Sequence, residues 1–266
     1  MTGVLLLRRK TPRWIALDPS GRAPAPLTLR EMAAFGRRFP REGRGFFYAL
    51  AINAIWPLLV LCTRYRMRGG EHIPASGGVV VVSNHLSFAD PTTLTSFVLG
   101  CGRVPRYLAK ASLWKVPLVR SIVRSGRHIA VHRGAVTAGE AYRDAVTAVR
   151  AGECVAIFPE GTFSDHPEAW PMRGKTGAAR VALETGAPVI PVANWGTHRV
   201  LPAGAWLPRP LPVKTVDLIA GPPVDLRDLA ALPLSKEVLD EATARIMAAV
   251  TTLLGEARGE APPVTR

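Results

Sequence analysis

A run of four consecutive valines, from Val79 to Val82, is the feature that most constrains how this 266-residue chain can fold. An unbroken run of β-branched residues is typical of a strand buried on both faces, as in the sheets of α/β proteins. Asp90 and Pro91 follow shortly afterwards and predict a helix start, with a carboxylate at the cap and proline at the first helical position. The sequence therefore predicts a buried strand, a short loop and a helix over residues 92–99.

The loop between this strand and this helix contains a histidine and an aspartate five residues apart, His85 and Asp90. A carboxylate that binds one imidazole nitrogen leaves the other nitrogen free to accept a proton from an alcohol. The pair is therefore a candidate for acid–base chemistry at the end of the strand. Taken alone, it favours the structural alternative, a plain helix cap beside a loop histidine.

From Met67 onward, apolar runs alternate with segments of helical pattern, which is typical of an α/β domain. This alternation predicts a mixed central sheet flanked by helices. The proline in the run Val189 to Val192 predicts an edge strand or a bulge, because proline has no N–H for a sheet ladder. The predicted strands are 79–83, 106–109, 129–132, 154–158, 189–192 and 213–220.

The N-terminal quarter combines positive charge with a long apolar segment. Residues 28–39 predict a short basic helix, and residues 46–62 form a run of 17 residues without a charged side chain. A helix needs about 20 apolar residues to span a bilayer. We therefore predict a helix that lies in one leaflet between Arg44 and Arg64, with a buried core helix as the alternative. The resulting division is a flexible basic N-terminus (1–27), a membrane-docking helical pair (28–66), an α/β domain (67–257) and a tail (258–266).

The net charge of +14 suits three kinds of partner: a nucleic acid, an anionic membrane or a phosphorylated substrate. The first 70 residues alone contain 13 Lys and Arg residues against 3 Asp and Glu residues. No zinc-finger spacing or other nucleic-acid signature accompanies this charge, so we expect no nucleic-acid partner. An anionic membrane leaflet is the favoured partner, because the basic residues lead into the apolar segment.

A second polar motif, Phe158-Pro159-Glu160-Gly161-Thr162, closes another apolar strand. Glycine and threonine after a strand offer backbone N–H groups and a hydroxyl to an anionic or polar ligand. Open α/β sheets usually place their sites at the carboxyl ends of the strands, which is where this motif falls. A plain turn with a solvated glutamate is the alternative.

Four sequence motifs, called blocks below, occur in this order along the chain: Asn84-His85-(four residues)-Asp90-Pro91, residues 126–133, Phe158 to Thr162, and Val189 to Val192. Together they resemble the glycerolipid acyltransferase family over about residues 65–225. The resemblance implies a glycerolphosphate acyltransferase-like α/β fold and makes 67–257 an acyltransferase domain. It also implies transfer of a fatty acyl group from acyl-CoA or acyl carrier protein to 1-acyl-glycerol-3-phosphate, giving phosphatidic acid. The enzyme is then expected at the cytoplasmic face of the inner membrane, with no metal ion and no bound cofactor.

The resemblance also implies roles for individual residues. His85 is expected to deprotonate the acceptor hydroxyl, and Asp90 to orient its ring. Lys110 is a candidate donor to the oxyanion that forms during attack on a thioester. Arginine suits phosphate through its bidentate fork, and Arg133 matches the family's phosphate-binding arginine. The residues expected to shape the acceptor site or bind its phosphate are Arg133, Glu160, Gly161, Thr162, Arg173 and Lys175.

One position departs from the family pattern. The third block usually continues with arginine, whereas this chain has Phe163. Arg173 or Lys175 could supply the missing charge, or the acceptor is glycerol 3-phosphate, another lysophospholipid, or a lipid-linked sugar or amine. Thioester hydrolysis and a non-catalytic membrane-binding protein on the same scaffold are the remaining alternatives.

Overall fold

The computed structural model describes residues 25–132, 135–205 and 207–263, and its centre is a seven-stranded mixed sheet. The strands lie in the order β1-β7-β6-β2-β5-β3-β4. Five neighbours, from β6 to β4, run parallel, while β7 and its parallel partner β1 run the opposite way. The bounds are β1 Thr63–Arg68, β2 Val79–Ser83, β3 Pro105–Lys110, β4 Ile129–Val131, β5 Cys154–Ile157, β6 Val189–Trp195 and β7 Lys214–Ala220.

Helices cover both faces of this sheet, which confirms the predicted mixed α/β architecture. The helices are α1 Leu29–Gly36, α2 Phe46–Cys62, α3 Asp90–Gly100, α4 Pro117–Ser125, α5 Ala135–Arg150, α6 Gly177–Thr185, α7 Thr197–Val200, α8 Arg227–Ala230 and α9 Lys236–Arg258. Two short 3₁₀ turns, Gly70–His72 and Ala111–Lys115, complete the described elements.

The valine run of β2 separates two apolar cores. Val79 and Val81 pack into the core beneath α1, α2 and α3, while Val80 and Val82 pack into the core beneath α5, α6 and α9. All four side chains are fully buried. Side chains alternate between the faces of a strand, so a strand with helices on both sides needs apolar residues at every position.

Helices α1 and α2 pack on the sheet and share the core of the α/β domain. The Phe35 ring lies so close to Gly100 that a Cβ there would come within 1.9 Å of the ring. Trp56 of α2 stacks on Tyr65 of β1, with 5.9 Å between ring centroids. The sheet begins at Thr63, four residues before the predicted domain start at Met67. Residues 1–24 of the predicted flexible N-terminus and 264–266 of the predicted tail lie outside the described residues.

The sequence analysis missed β1, although its residues alternate in polarity. Its basic side chains at every second position look like the charged flank of a membrane helix. In the structure the same alternation buries the residues between them, including Tyr65 and Met67. The other six strands match their predictions, with ends that differ by at most three residues.

Helix α2 is apolar on both sides but is buried on only one. Tyr48 and Ile52 face the core, whereas six large apolar side chains are exposed. The alternative of a fully buried core helix is therefore wrong. Among the described residues, no helix has both the length and the apolar character needed to cross a membrane. The exposed side chains are Phe46, Phe47, Leu50, Ile55, Leu58 and Leu61.

The prediction of an edge or a bulge at Pro191 is wrong, because β6 lies inside the sheet between β7 and β2. The pairing of β6 with β7 begins one residue later, at Val192 opposite Ala220. The carbonyl of Pro191 accepts a hydrogen bond from Gly221, just beyond the end of β7. Proline is tolerated here because its neighbour strand has already ended.

His128 packs between α2 and the sheet, and its burial leads us to predict that stability depends on pH. Its ring packs edge-on against Tyr48 and Tyr107, at centroid distances of 5.0 and 5.4 Å, and its Nδ1 accepts the Tyr107 N–H at 3.2 Å. Burial, with a smaller contribution from the charge of Arg106, lowers the pKa of His128 from 6.5 to about 4. The folded protein therefore holds a neutral imidazole at pH values where the unfolded chain is protonated.

We expect the contribution of His128 to stability to be complete above pH 6.5 and lost as the pH falls from 6.5 to about 4. Urea unfolding at stepped pH values measures this loss. His128→Asn, whose amide oxygen can replace Nδ1 as acceptor, should show a smaller decline over the same range. Identical pH slopes for the two proteins would rule out His128 as the cause.

Candidate active site

Polar residues gather at the carboxyl edge of the parallel strands. His85 follows β2, the Glu160 turn follows β5, Lys110 ends β3 and Thr197 follows β6. Because these strands are parallel neighbours, their loops meet at one edge of the sheet, where open α/β folds place their sites.

The predicted histidine–aspartate pair forms in the structure. His85 Nδ1 lies 2.9 Å from Asp90 Oδ2. That oxygen also accepts the backbone N–H groups of Leu86 at 2.5 Å and Ser87 at 2.8 Å. Because Asp90 Oδ2 accepts hydrogen bonds, we assign to His85 the tautomer in which Nδ1 carries the proton and donates to this oxygen. The other ring nitrogen, Nε2, is then available to accept a proton.

Asp90 is the first residue of α3 and Ala89 is the N-cap, so the predicted cap position is off by one residue. The Asp90 carboxylate is fully buried. Its second oxygen, Oδ1, accepts the hydroxyl of Thr197 at 2.5 Å. Four donors from two segments, the loop after β2 and the start of α7, thus satisfy one buried carboxylate, as a buried charge requires.

Two buried asparagines fix the loop that carries His85. The Asn84 side chain donates to the carbonyl of Asn194 and accepts its N–H, both at 2.9 Å, so it pairs with β6 as a strand residue would. The Asn194 amide donates to the hydroxyl of Thr93 in α3 at 2.7 Å. These bonds join β2, β6 and α3 immediately behind the histidine.

Aromatic rings enclose the imidazole of His85. Phe158 stacks on it at a centroid distance of 4.2 Å, and Phe163 meets it edge-on at 4.4 Å. Phe88, which is 59% exposed, packs against Phe163 at 4.6 Å. Phe163, which stands where the family usually has arginine, therefore contributes an apolar surface next to His85.

Glu160 connects the His85 loop to the loop that follows β5. One carboxylate oxygen accepts the His85 N–H at 2.9 Å and the other accepts the Met172 N–H at 3.0 Å. Burial raises the pKa of Glu160, and the two backbone hydrogen bonds partly oppose that rise. Both oxygens already bind protein donors, so Glu160 shapes the site by holding its loops together.

The structure brings Lys175, but not Arg173, beside the Glu160 turn. Gly161 has a φ of +69°, and a Cβ there would lie 2.8 Å from Lys175 Nζ, so glycine lets the lysine side chain cross the turn. Thr162 is exposed at the same turn. Arg173 instead reaches Asp240 of α9, with 3.4 Å between the charged atoms.

The remaining two predicted site residues are Lys110 and Arg133. Lys110 is exposed at the end of β3, two strands away from β2. Arg133 lies outside the described residues. The part of the chain that the structure describes contains no group of three or more His, Cys, Asp or Glu side chains arranged to bind a metal.

A cationic contact that the sequence analysis missed holds the loop between Thr162 and Arg173. The Arg258 guanidinium lies 4.0 Å from the centroid of the Trp170 ring and 4.7 Å from that of Trp195. It also donates to the carbonyl of Glu168 at 2.6 Å. The loop it holds provides the Met172 N–H to Glu160, so the end of α9 supports the site.

Asn194 and Thr197 are the functional candidates that sequence reasoning could have found. Both follow the apolar start of β6, at or just beyond its carboxyl end, as Glu160 follows β5. Arg258 gave no comparable signal, because its role depends on which segments meet in space.

Several known proteins similar to this chain are described as acyltransferases. A family model described as Acyltransferase matches residues 64–195. A 1-acyl-sn-glycerol-3-phosphate acyltransferase from Bacillus subtilis is 30% identical over 195 residues, which are 72% of this chain and 89% of that protein. Proteins of the same description from Borreliella burgdorferi and, in chloroplasts, Brassica napus are 31% and 29% identical over 49% and 63% of this chain. This chain spans about half the length of those two relatives.

The fold also matches a solved structure. The crystal structure of the 1-acyl-sn-glycerophosphate acyltransferase PlsC from Thermotoga maritima aligns with a TM-score of 0.58 and 27% sequence identity. The alignment covers 89% of this chain and 81% of that one. This chain is therefore similar in fold to a known acyltransferase structure.

The hydroxyl of Thr197 should contribute measurably to stability. Thr197→Val keeps the shape of the side chain but leaves Asp90 Oδ1 without its donor, which we expect to cost about 1–3 kcal/mol of unfolding free energy. Thr197→Ser retains the hydroxyl and should recover most of that loss. Urea denaturation measures both variants. A valine variant as stable as the parent protein would contradict the assigned hydrogen bond.

Proposed function

This chain belongs to the acyltransferase family, and we propose that it transfers a fatty acyl group from a thioester to the free hydroxyl of 1-acyl-glycerol-3-phosphate. The observation that carries the proposal is the His85–Asp90 pair, held at the carboxyl edge of the sheet with 2.9 Å between Nδ1 and Oδ2. A histidine oriented in this way is a general base for an alcohol. The similar proteins named above supply the acceptor in this proposal.

The proposed reaction begins with proton transfer from the acceptor hydroxyl to Nε2 of His85. The hydroxyl oxygen then forms a bond to the thioester carbonyl carbon, and the carbonyl oxygen becomes negatively charged. When the carbon–sulfur bond breaks, the thiolate takes the proton back from His85. The products are phosphatidic acid and the free thiol of CoA or acyl carrier protein.

Asp90 supports this step in two ways. It fixes the ring tautomer so that Nε2 is the basic nitrogen, and its negative charge stabilises the imidazolium that forms. The Asp90 carboxylate is itself held by two backbone N–H groups and by Thr197, so it is preorganised for that state. Lys110 is the candidate donor to the oxyanion in this proposal.

We assign binding of the acceptor's phosphate group to Lys175 and Arg133. Lys175 is supported by its position across Gly161 at the Glu160 turn. Arg173 is a weaker choice, because it faces Asp240. In this scheme Phe163 does not bind phosphate and contributes an apolar surface beside the reacting hydroxyl.

A second candidate acceptor follows from the aromatic pair Phe88 and Phe163. These rings create an apolar approach to His85, which suits an acceptor with less charge near its hydroxyl than 1-acyl-glycerol-3-phosphate has. Other lysophospholipids, or a lipid-linked sugar or amine, are in this class. The nature of the acceptor separates the two candidates without changing the acyl-transfer chemistry.

We expect His85→Ala to lower acyl transfer by about 10²- to 10⁴-fold, because it removes the general base. The assay is thiol release from palmitoyl-CoA, with and without lysophosphatidic acid. His72→Ala is the matched control, since His72 follows β1, at the opposite edge of the sheet, and should retain full activity.

Three outcomes of that assay would change the proposal. Turnover retained in a folded His85→Ala variant would remove the histidine from the mechanism. Thiol release that needs no acceptor would indicate hydrolysis. Release stimulated by another lysophospholipid, but not by lysophosphatidic acid, would select the second acceptor class.

We further propose that α1 and α2 lie on the anionic, cytoplasmic leaflet of the inner membrane. Support comes from the exposed apolar side of α2, with side chains such as Leu58 and Leu61 exposed by 61% and 67%. Exposed apolar area of this kind is unusual on a surface that meets only water. The arginines around this helical pair, Arg30, Arg37, Arg41 and Arg64, are exposed and suit anionic headgroups.

Replacing Leu58 and Leu61 together with glutamine should weaken vesicle binding by about tenfold or more, because two apolar side chains then leave the lipid. Flotation with vesicles of phosphatidylcholine and phosphatidylglycerol measures this change. Leu234→Gln, an exposed leucine ahead of α9, is the control and should bind as the parent protein does. Unchanged flotation of the double variant would place the membrane contact elsewhere.

A further inference from the structure

We propose that the 3₁₀ turn Ala111–Lys115 and helix α4 form a second membrane-docking surface, which turns the active-site edge of the sheet toward an anionic bilayer. This inference rests on the proposed function for its biological meaning, but vesicle binding tests it independently of catalysis. The surface comprises the exposed side chains Leu113, Lys115, Val116, Leu118, Arg120 and Arg124.

Helix α4 has a buried side and an outward side of mixed character. Val123 is buried and Ile122 packs against the core, so these residues face the sheet. Leu118, which is 72% exposed, and the two arginines Arg120 and Arg124 lie on the rest of the helix. An exposed leucine beside cationic side chains is the pattern of a helix that lies at a lipid surface.

The charge around α4 favours an anionic partner. No Asp or Glu occurs between Asp90 and Glu140, whereas eight Lys and Arg residues fall in that interval. Arg106 and Arg127 pair with Glu153, whereas Lys115, Arg120 and Arg124 form no ion pair with another described residue, so an anionic surface would relieve their mutual repulsion. The headgroups of an anionic leaflet provide such a surface.

The surface is continuous with the exposed side of α2. The Tyr48 N–H donates to the hydroxyl of Ser125, the last residue of α4, at 3.2 Å. Gly45, the cap of α2, lies so close that a Cβ would come within 2.3 Å of the Ser125 carbonyl oxygen. The C-terminal end of α4 therefore abuts the N-terminal end of α2, where Phe46 and Phe47 are exposed.

The same surface also adjoins the active-site edge. The 3₁₀ turn begins directly after Lys110, the last residue of β3, and β3 runs parallel to the strand that carries His85. A bilayer in contact with Leu113 and Leu118 would therefore lie beside the edge where the acyl chains must arrive. An acidic soluble protein would match the charge of α4 but would leave these leucines and the adjoining phenylalanines unexplained.

The test measures flotation of the full chain with two kinds of vesicle, phosphatidylcholine alone and phosphatidylcholine with phosphatidylglycerol. Leu118→Gln should weaken binding to both kinds of vesicle by about tenfold, because the apolar side chain that would enter the lipid is lost. Arg120→Gln and Arg124→Gln should each weaken binding by about fivefold, and only to the anionic vesicles. Leu232→Gln and Arg143→Gln, at exposed positions on the opposite face, are the matched controls and should bind normally.

Activity measurements separate this inference from the proposed function. With an acceptor dispersed in detergent, the α4 variants should retain the activity of the parent protein, since they lie outside the catalytic residues. A parent protein that floats but transfers no acyl group would overturn the proposed function and leave the α4 surface intact.

Normal flotation of the Leu118 and arginine variants on anionic vesicles would overturn the inference. If the same variants also showed a raised KM for the acylated carrier protein, but not for acyl-CoA, the surface would be assigned to an acidic protein.

Discussion

The buried carboxylate of Asp90 is the group on which the rest of the site depends. It receives hydrogen bonds from the His85 ring, from two backbone N–H groups and from Thr197. An ionised carboxylate without these donors would be costly to bury, so its position requires the loop after β2, the start of α3 and the segment after β6 to be in place together. The same bonds orient the histidine, so the burial of this carboxylate also positions the proposed general base.

Glu160 plays the corresponding part for the loops on the other side of His85. Its two oxygens bind the N–H groups of His85 and Met172, and Arg258 holds the intervening loop through Trp170 and Trp195. Burial raises the pKa of Glu160, whereas the backbone donors favour its charged form. The histidine is therefore held from its backbone as well as from its ring, so the proposed proton transfer would need little reorganisation.

The helices on one face of the sheet have one side in the protein core and another side exposed. Phe35, Tyr48 and Ile52 complete the apolar core, while the outward sides of α2 and α4 carry apolar and basic side chains. The proposed docking of these helices on a bilayer would remove that apolar area from water. Because both helices pack on the catalytic domain itself, such docking would fix the orientation of the active-site edge relative to the lipid.

Patterns along the chain are enough to predict the α/β architecture, six of the seven strands and the His85–Asp90 pair. These features depend on local patterns: the buried valine run of β2, the repeated alternation of apolar strands with helices, and two polar residues on one loop. The tertiary structure alone decided that Asn84 pairs with Asn194, that Thr197 completes the Asp90 site, that Pro191 lies inside the sheet and that Lys175 rather than Arg173 faces the Glu160 turn. Each of these results depends on where strands distant in sequence come to lie and where they end, and hydrogen bonds between such segments leave no periodic pattern along the chain.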